Sequence, residues 1–311
     1  MNTLYQAVEE YLALRHALGF KLRDYGVCLR ELISFLESKG SSHITTKLAV
    51  EFATQRERQK PVSWKRQLGI VRGFALYRVG VDPTTEVPPP GLLPFRSQRA
   101  QPYLYTEEEI RRLLEAALNL VTPHQLQPWT YYCLFGLLAV SGMRLGEALN
   151  LQPHDVDWSE SVLTIRGAKF GKSRLVPLHL TTREVLLAYA ERRDQLYASR
   201  SVPYFFVSSR GTRLIERNVS KIFRQLSRQI GIRDPGAGNG PRIHDFRHRF
   251  AIETLLRWYR NGEQVSRRLP VLSTYLGHSN VTNTYWYLTN TPELMAAAAE
   301  LLEARWKGVL P

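Results

Sequence analysis

Cysteine is nearly absent: Cys28 and Cys133 are the only two in 311 residues, and they stand far apart in apolar stretches. A disulfide framework and a cysteine-built zinc cluster are therefore excluded, and two reduced core thiols are expected. Long apolar runs are missing as well. No uninterrupted stretch reaches membrane-spanning length, and the N-terminal MNTLYQAVEEYLALRHALGF carries Glu9, Glu10 and Arg15 inside its apolar pattern, unlike a signal peptide. The chain reads as soluble and cytoplasmic. Acidic residues are scarce, 28 Asp and Glu against 42 Lys and Arg, which leaves a formal charge of +14. None of them cluster at metal-binding spacing. The positive surplus suits a polyanion, although basicity alone fits RNA-binding, membrane-surface and some neutral-ligand proteins equally well. Low-complexity tracts and internal repeats are also lacking, so the composition is that of an ordinary globular protein.

The length suits two domains, each with its own core. Over residues 2 to 39, Leu4, Val8, Tyr11, Leu12, Leu29, Leu32, Ile33 and Leu36 recur at helical spacing, with breaks expected around Gly19 and at Asp24 to Gly26. Further helical patterns start after Thr45 or Thr46 and at Val62, which makes residues 1–85 a small all-helical domain. Six prolines crowd residues 83 to 102, a stretch that supports neither helix nor central strand. Residues 86–102 read as a linker and 103–311 as a second domain. Thr106 and Glu109 form a capping box there, ahead of Ile110, Leu113 and Leu114. An apolar helix from about Trp129 to Val140 follows, interrupted by Ser141-Gly142, with a second helix near Arg144. Ser161 to Arg166 and Arg174 to Leu178 are short β-like runs on either side of a turn. Helices return at roughly 181–198, 216–230, 245–261, 265–276 and 292–306. The fold class is mainly α with one small antiparallel sheet.

Four segments of the second domain concentrate Arg, His, Lys and Tyr beside glycine or at element ends. In SGMRLGEAL, Arg144 precedes Glu147 by three residues, as a surface ion pair would. GAKFGKSR holds Lys169, Lys172 and Arg174 in a basic turn that serves equally as a solvated hairpin tip or a phosphate contact. His244 and Arg247 share a helical face in HDFRHR. In LGHSNVTNTYWY, His278 is followed nine residues later by Tyr287, a residue type that near a C-terminus is usually half-buried core. Each segment alone has a bland explanation.

Together and in chain order, Arg144, Lys169, His244, Arg247, His278 and Tyr287 resemble the motif series of the tyrosine recombinase and phage integrase family, which includes the Xer, Cre and lambda-integrase types. The resemblance implies a helical, SAM-like core-binding domain and a mostly helical catalytic domain closing on DNA as a C-shaped clamp. It also implies strand cleavage and rejoining through a 3′-phosphotyrosyl intermediate, without metal, cofactor or ATP. In that scheme Arg144 and Arg247 hold the phosphate, Tyr287 attacks it, and Lys169 protonates the leaving oxygen. His244 assists proton transfer, His278 donates a hydrogen bond, and Glu147 orients Arg144 or its neighbours. Tyr285 competes with Tyr287 as nucleophile, and Lys172 with Lys169 as acid. Lys21, Arg23, Lys65, Arg66, Arg96, Arg99, Lys172 and Arg174 are the expected DNA contacts. The implied partners are double-stranded DNA with specific sites, three further copies of the chain in a tetramer, and accessory recombination proteins. A type IB topoisomerase-like enzyme and a catalytically silent DNA-binding regulator are the alternatives on the same scaffold.

Overall fold

The computed structural model describes residues 3–20, 22–55, 61–93, 101–167, 173–236, 240–278, 280–289 and 292–306. The chain divides into two compact units, 1–100 and 101–311. Among the described residues no helix is long and apolar enough to cross a membrane.

The first unit contains helices α1 (Leu4–Ala17), α2 (Arg23–Ser38), α3 (Thr46–Thr54) and α4 (Pro61–Arg78). Thr3 and Thr45 accept backbone hydrogen bonds from Gln6 and Leu48 and so start α1 and α3. Val8, Leu12, Leu29, Leu32, Leu36, Phe52, Val71 and Phe74 form the buried core. The break expected at Asp24 to Gly26 does not occur, because α2 runs straight through it. Asp24 sits in the first turn, where a negative charge favours the helix dipole, and burial of Cys28, Leu29 and Leu32 outweighs the poor propensity of Gly26. Gly19, with φ +84°, makes the turn instead. Part of the proline-rich stretch is strapped to this unit. The Glu86 amide donates to the Ile44 carbonyl at 2.7 Å, Arg72 donates to the Pro88 carbonyl at 2.9 Å, and Val87 and Leu93 pack on the core.

The second unit begins with α5 (Glu107–Leu118), whose Thr106–Glu109 capping box is complete in both directions. Then come α6 (Leu126–Ser141), α7 (Leu145–Asn150), a 3-10 turn at Pro153–Asp155, and strands β1 (Val156–Asp157), β2 (Val162–Ile165) and β3 (Arg174–Pro177). The strands pair antiparallel in the order β1-β2-β3, with Leu163 opposite Val176 and Ile165 opposite Arg174. Helices α8 (Leu180–Leu196), α9 (Glu216–Gln229), α10 (His244–Arg260), α11 (Val265–Leu276), α12 (Thr282–Thr289) and α13 (Pro292–Trp306) complete the unit. The described residues thus hold thirteen α-helices and one small sheet, a mainly α fold.

Two hydrophobic clusters fill this unit. One gathers Leu134, Phe135, Tyr189, Phe205, Phe206, Phe223 and Phe246, and the other Ile252, Leu255, Leu269, Leu272, Leu276, Tyr287 and Leu294. Helix α10 belongs to both, through Phe246 near its start and Ile252 and Leu255 further on. Its first turn is therefore fixed where the clusters meet. Helix α12 has no counterpart in the periodicity, since TNTYWYLT is short and rich in threonine and aromatic residues of modest helix propensity. Asn280 starts it locally, its side chain accepting from the Thr282 amide at 2.9 Å.

Gly142, directly after α6 (φ +59°), and Gly277, directly after α11 (φ +65°), are left-handed C-caps. A Cβ on Gly142 would lie 2.6 Å from the Phe250 ring, whereas one on helical Gly146 would meet nothing within 4 Å. Gly142→Ala is expected to destabilise the second unit by about 3 kcal/mol, from left-handed strain and overpacking. Gly146→Ala should stabilise it by about 0.5 kcal/mol. Urea unfolding followed by tryptophan fluorescence reads both changes, and equal midpoints for the two variants would contradict this packing.

Candidate active site

The site is assembled around the C-terminal end of α11. The last carbonyls of a helix have no intrahelical partner and carry the negative end of its dipole, so they attract cationic donors. Three arginines from three other elements meet them. Arg174 Nε donates to the Tyr275 carbonyl at 2.6 Å, Arg247 Nη2 to Leu276 at 2.6 Å, and Arg144 Nη2 to Gly277 at 2.9 Å. Arg247 Nη1 also donates to the Gly142 carbonyl at 2.9 Å. Gly142 and Gly277 thus each turn a carbonyl toward a site arginine. At Gly277 the absent side chain matters directly, since a Cβ there would lie 3.1 Å from Arg174 Nη1 and 3.4 Å from Arg144 Nη1.

Glu147 carries the compensating charge. Its Oε1 accepts from Arg144 Nη1 at 2.8 Å and Arg174 Nη1 at 3.0 Å, and its Oε2 from the Arg144 amide at 2.9 Å and Arg174 Nη2 at 2.7 Å. Burial alone would raise the carboxyl pKa. The hydrogen bonds from Arg174 and from the Arg144 backbone more than reverse that and hold it at about 2. Arg247 is 2% exposed, and burial first, then the neighbouring Arg144 charge, lower its pKa to about 10, with Tyr287 and Glu147 opposing. It stays charged at neutral pH.

His244 opens α10, whose first turn is closed by Asp245, a fully buried carboxylate that accepts from the Arg242 amide at 2.8 Å and from the Arg242 guanidinium. His244 itself is exposed to solvent. Desolvation, followed by the Arg247 charge, lowers its pKa. His278 lies just beyond Gly277, and its Nδ1 is 2.8 Å from the Thr284 hydroxyl on α12. Desolvation and then Arg247 and Arg144 lower its pKa to about 4.

Tyr287 is 3% exposed, its ring 6.4 Å from that of His278 and 5.6 Å from that of His248, and it lies within electrostatic reach of Arg247. Tyr285 is 48% exposed. Residues two positions apart on a helix are separated by about 200°, so these two tyrosines face opposite sides of α12. Arg144, Glu147, His244, Arg247, His278 and Tyr287 are brought together. Arg174, expected on the DNA face, is instead turned inward and its side chain is 9% exposed. Of the other expected DNA contacts, Lys65 and Arg66 are exposed on α4, with Arg66 ion-paired to Asp24, and Arg23 is the first residue of α2. Lys21, Arg96, Arg99, Lys169 and Lys172 lie outside the described residues.

Sequence reasoning missed Thr284, Asp245 and His248. The available signal was that His248 follows His244 by four residues and so shares its face, where the two rings meet edge-on at 4.7 Å.

Residues 104–293 match the phage integrase family. The chain is 53% identical over 311 residues to "Putative integrase/recombinase y4rB" of Sinorhizobium fredii (strain NBRC 101917 / NGR234), covering 99% of each chain. Its fold resembles XerH site-specific recombinase bound to palindromic difH substrate, with TM-score 0.65, 20% identity, and coverage of 90% of this chain and 79% of that one. A lambda integrase tetramer bound to a Holliday junction is also similar, with TM-score 0.61, 17% identity, and coverage of 90% and 78%.

The His278 shift has a measurable consequence. An unfolded imidazole takes up its proton near its ordinary value of 6.5, but the folded one does so only near 4, so stability falls as pH is lowered through that window. An NMR titration of the free protein should show His278 neutral at pH 5, and His278→Gln should flatten the acid loss of stability between pH 6.5 and 4. Ordinary titration of His278 near 6.5 would contradict the desolvated geometry.

Proposed function

Because the chain belongs to the phage integrase family and is a site-specific tyrosine recombinase, an enzyme that breaks and rejoins DNA, we propose that it works through a covalent bond between Tyr287 and a 3′ phosphate. The observation that carries this assignment is that Tyr287 is buried within electrostatic reach of Arg247, whereas Tyr285 is exposed.

A phosphodiester resists attack because its anionic oxygens repel nucleophiles and its leaving alkoxide is strongly basic. Arg144 and Arg247 answer the first difficulty. Among the described residues, hydrogen bonds engage two of the five N–H donors on each, which leaves charged donors for the non-bridging oxygens. Because they are fixed by backbone carbonyls, their charge is in place before negative charge builds up in the transition state. His278 adds a hydrogen bond. In the tautomer in which the Thr284 hydroxyl donates to Nδ1, the ring proton sits on Nε2, the nitrogen that this bond leaves open.

The Tyr287 oxygen attacks phosphorus, the bond to the 5′ oxygen breaks, and a phosphotyrosyl ester and a 5′ hydroxyl result. The phenol proton passes toward His244, and Lys169 supplies a proton to the departing oxygen, a role that rests on the resemblance of its motif. The ester conserves the energy of the broken bond, so a 5′ hydroxyl from another strand reverses the step without ATP.

Among the similar structures, a lambda integrase dimer is bound to a COC' core site and a lambda integrase tetramer to a Holliday junction. We extend this to four copies of the present chain on two duplexes in the cytoplasm, with accessory proteins setting direction. Arg23, Lys65, Arg66, Lys21, Arg96 and Arg99 would add phosphate contacts that fix position without reading sequence.

Incubation with a nicked suicide substrate tests the assignment. Wild type and Tyr285→Phe should form a covalent adduct, and Tyr287→Phe should bind the same DNA without forming one. Loss of the adduct in Tyr285→Phe alone would overturn the choice of nucleophile. Arg247→Ala should slow cleavage by about 100-fold or more while weakening binding far less, because its contacts strengthen in the transition state.

A further inference from the structure

Arg174 is unexplained by the roles assigned above. It lies at the start of β3, opposite Ile165, and one side chain joins three distant parts of the fold. Through Nη1 and Nη2 it grips both oxygens of Glu147 at the start of α7, and through Nε it holds the Tyr275 carbonyl 101 residues away. The ion pair is nearly closed to solvent, with 9% of the Arg174 side chain and 8% of the Glu147 side chain exposed.

We propose that Arg174 is a positioning residue that sets both the aim and the net charge of Arg144, the phosphate-binding arginine. This rests on the reading of Arg144 given above. The aim follows from the shared carboxylate. Glu147 receives both the Arg144 guanidinium and the Arg144 amide, and Arg174 immobilises that carboxylate from the other side with two parallel bonds. The same side chain fixes the turn whose next carbonyls hold Arg247 and Arg144 and which leads into His278. The charge follows from counting: a lone Glu147 beside a lone Arg144 is a neutral pair, whereas two guanidiniums on one carboxylate retain one positive charge next to the phosphate site. Arg174 therefore allows Arg144 to be both anchored and cationic.

The arrangement makes distinct demands on substitutions. Lysine keeps the charge but, as a single compact donor, cannot hold both Glu147 oxygens and the Tyr275 carbonyl together. Alanine loses charge and anchor. A surface DNA contact would behave differently, since its loss weakens binding and removes about one phosphate from the salt dependence.

The test compares Arg174→Lys, Arg174→Ala, Glu147→Gln, Glu147→Gln/Arg174→Lys and Arg144→Ala in the full chain. Single-turnover cleavage of a saturating suicide substrate, DNA affinity at several salt concentrations, and thermal midpoints are measured for each. Arg174→Ala is expected to cleave about 100-fold more slowly and Arg174→Lys about 10-fold more slowly, with DNA affinity within about 3-fold of wild type and, for the charge-conserving Arg174→Lys, an unchanged salt slope. The double variant should cleave no more slowly than Glu147→Gln by more than about 3-fold, because both residues act through the same guanidinium. If Arg174→Ala does not fold, Arg174→Lys and the double variant carry the comparison.

Normal cleavage by Arg174→Lys and Arg174→Ala, with weaker binding and a reduced salt slope, would make Arg174 a DNA contact and overturn the proposal. Fully multiplicative losses in the double variant, or cleavage losses that disappear at temperatures where all variants are folded, would reduce it to a structural residue and overturn it as well. Normal cleavage by Arg144→Ala would overturn the underlying reading of Arg144. Slow Arg144→Ala beside normal Arg174→Lys removes only the role given to Arg174.

Discussion

The end of α11 presents three successive backbone carbonyls, from Tyr275, Leu276 and Gly277, and each accepts a hydrogen bond from a different arginine. The rest of the site depends on this meeting. Like charges brought close together repel, and the cluster holds only because a helix C-terminus and the Glu147 carboxylate supply the opposing charge. The protein thereby gathers cationic donors in one place and fixes them through backbone atoms, whose positions depend on fold rather than on side-chain rotamers.

The folding of the second unit serves that meeting. Helix α10 runs through both hydrophobic clusters, which fixes Arg247 in depth, while the chain reversals at Gly142 and Gly277 bring α7 and His278 to it. Helix α12 then buries one tyrosine within reach of Arg247 and leaves the other exposed. The exposure difference between Tyr287 and Tyr285 is a direct result of helical geometry, and it separates two residues that look interchangeable in the sequence.

Local features were legible in the sequence. The Thr106–Glu109 capping box, the Arg144–Glu147 pair and the helix breaks at Gly142 and Gly277 all depend on spacings of a few residues, and propensity and side-chain reach set them directly. Helix α12 was missed because threonine and aromatic residues give it little intrinsic preference, and the Asn280 cap with packing of Tyr287 decides it instead. Arg174 was read as a solvent-facing phosphate contact because it borders a basic turn. Its actual partners are 27 and 101 residues away, and no local pattern records such distances. Asp24 to Gly26 misled in the opposite sense, a weak local signal overridden by burial along α2.

The most direct test of the account is to identify the atom that carries DNA in the wild-type protein. After trapping on a nicked substrate, nuclease trimming and trypsin digestion, Tyr285 and Tyr287 lie on the same peptide, between Arg268 and Arg305, so fragmentation by tandem mass spectrometry must separate them. The arrangement of arginines around α11 predicts a nucleotide remnant on Tyr287 alone. A remnant on Tyr285, or on any residue outside α12, would contradict it.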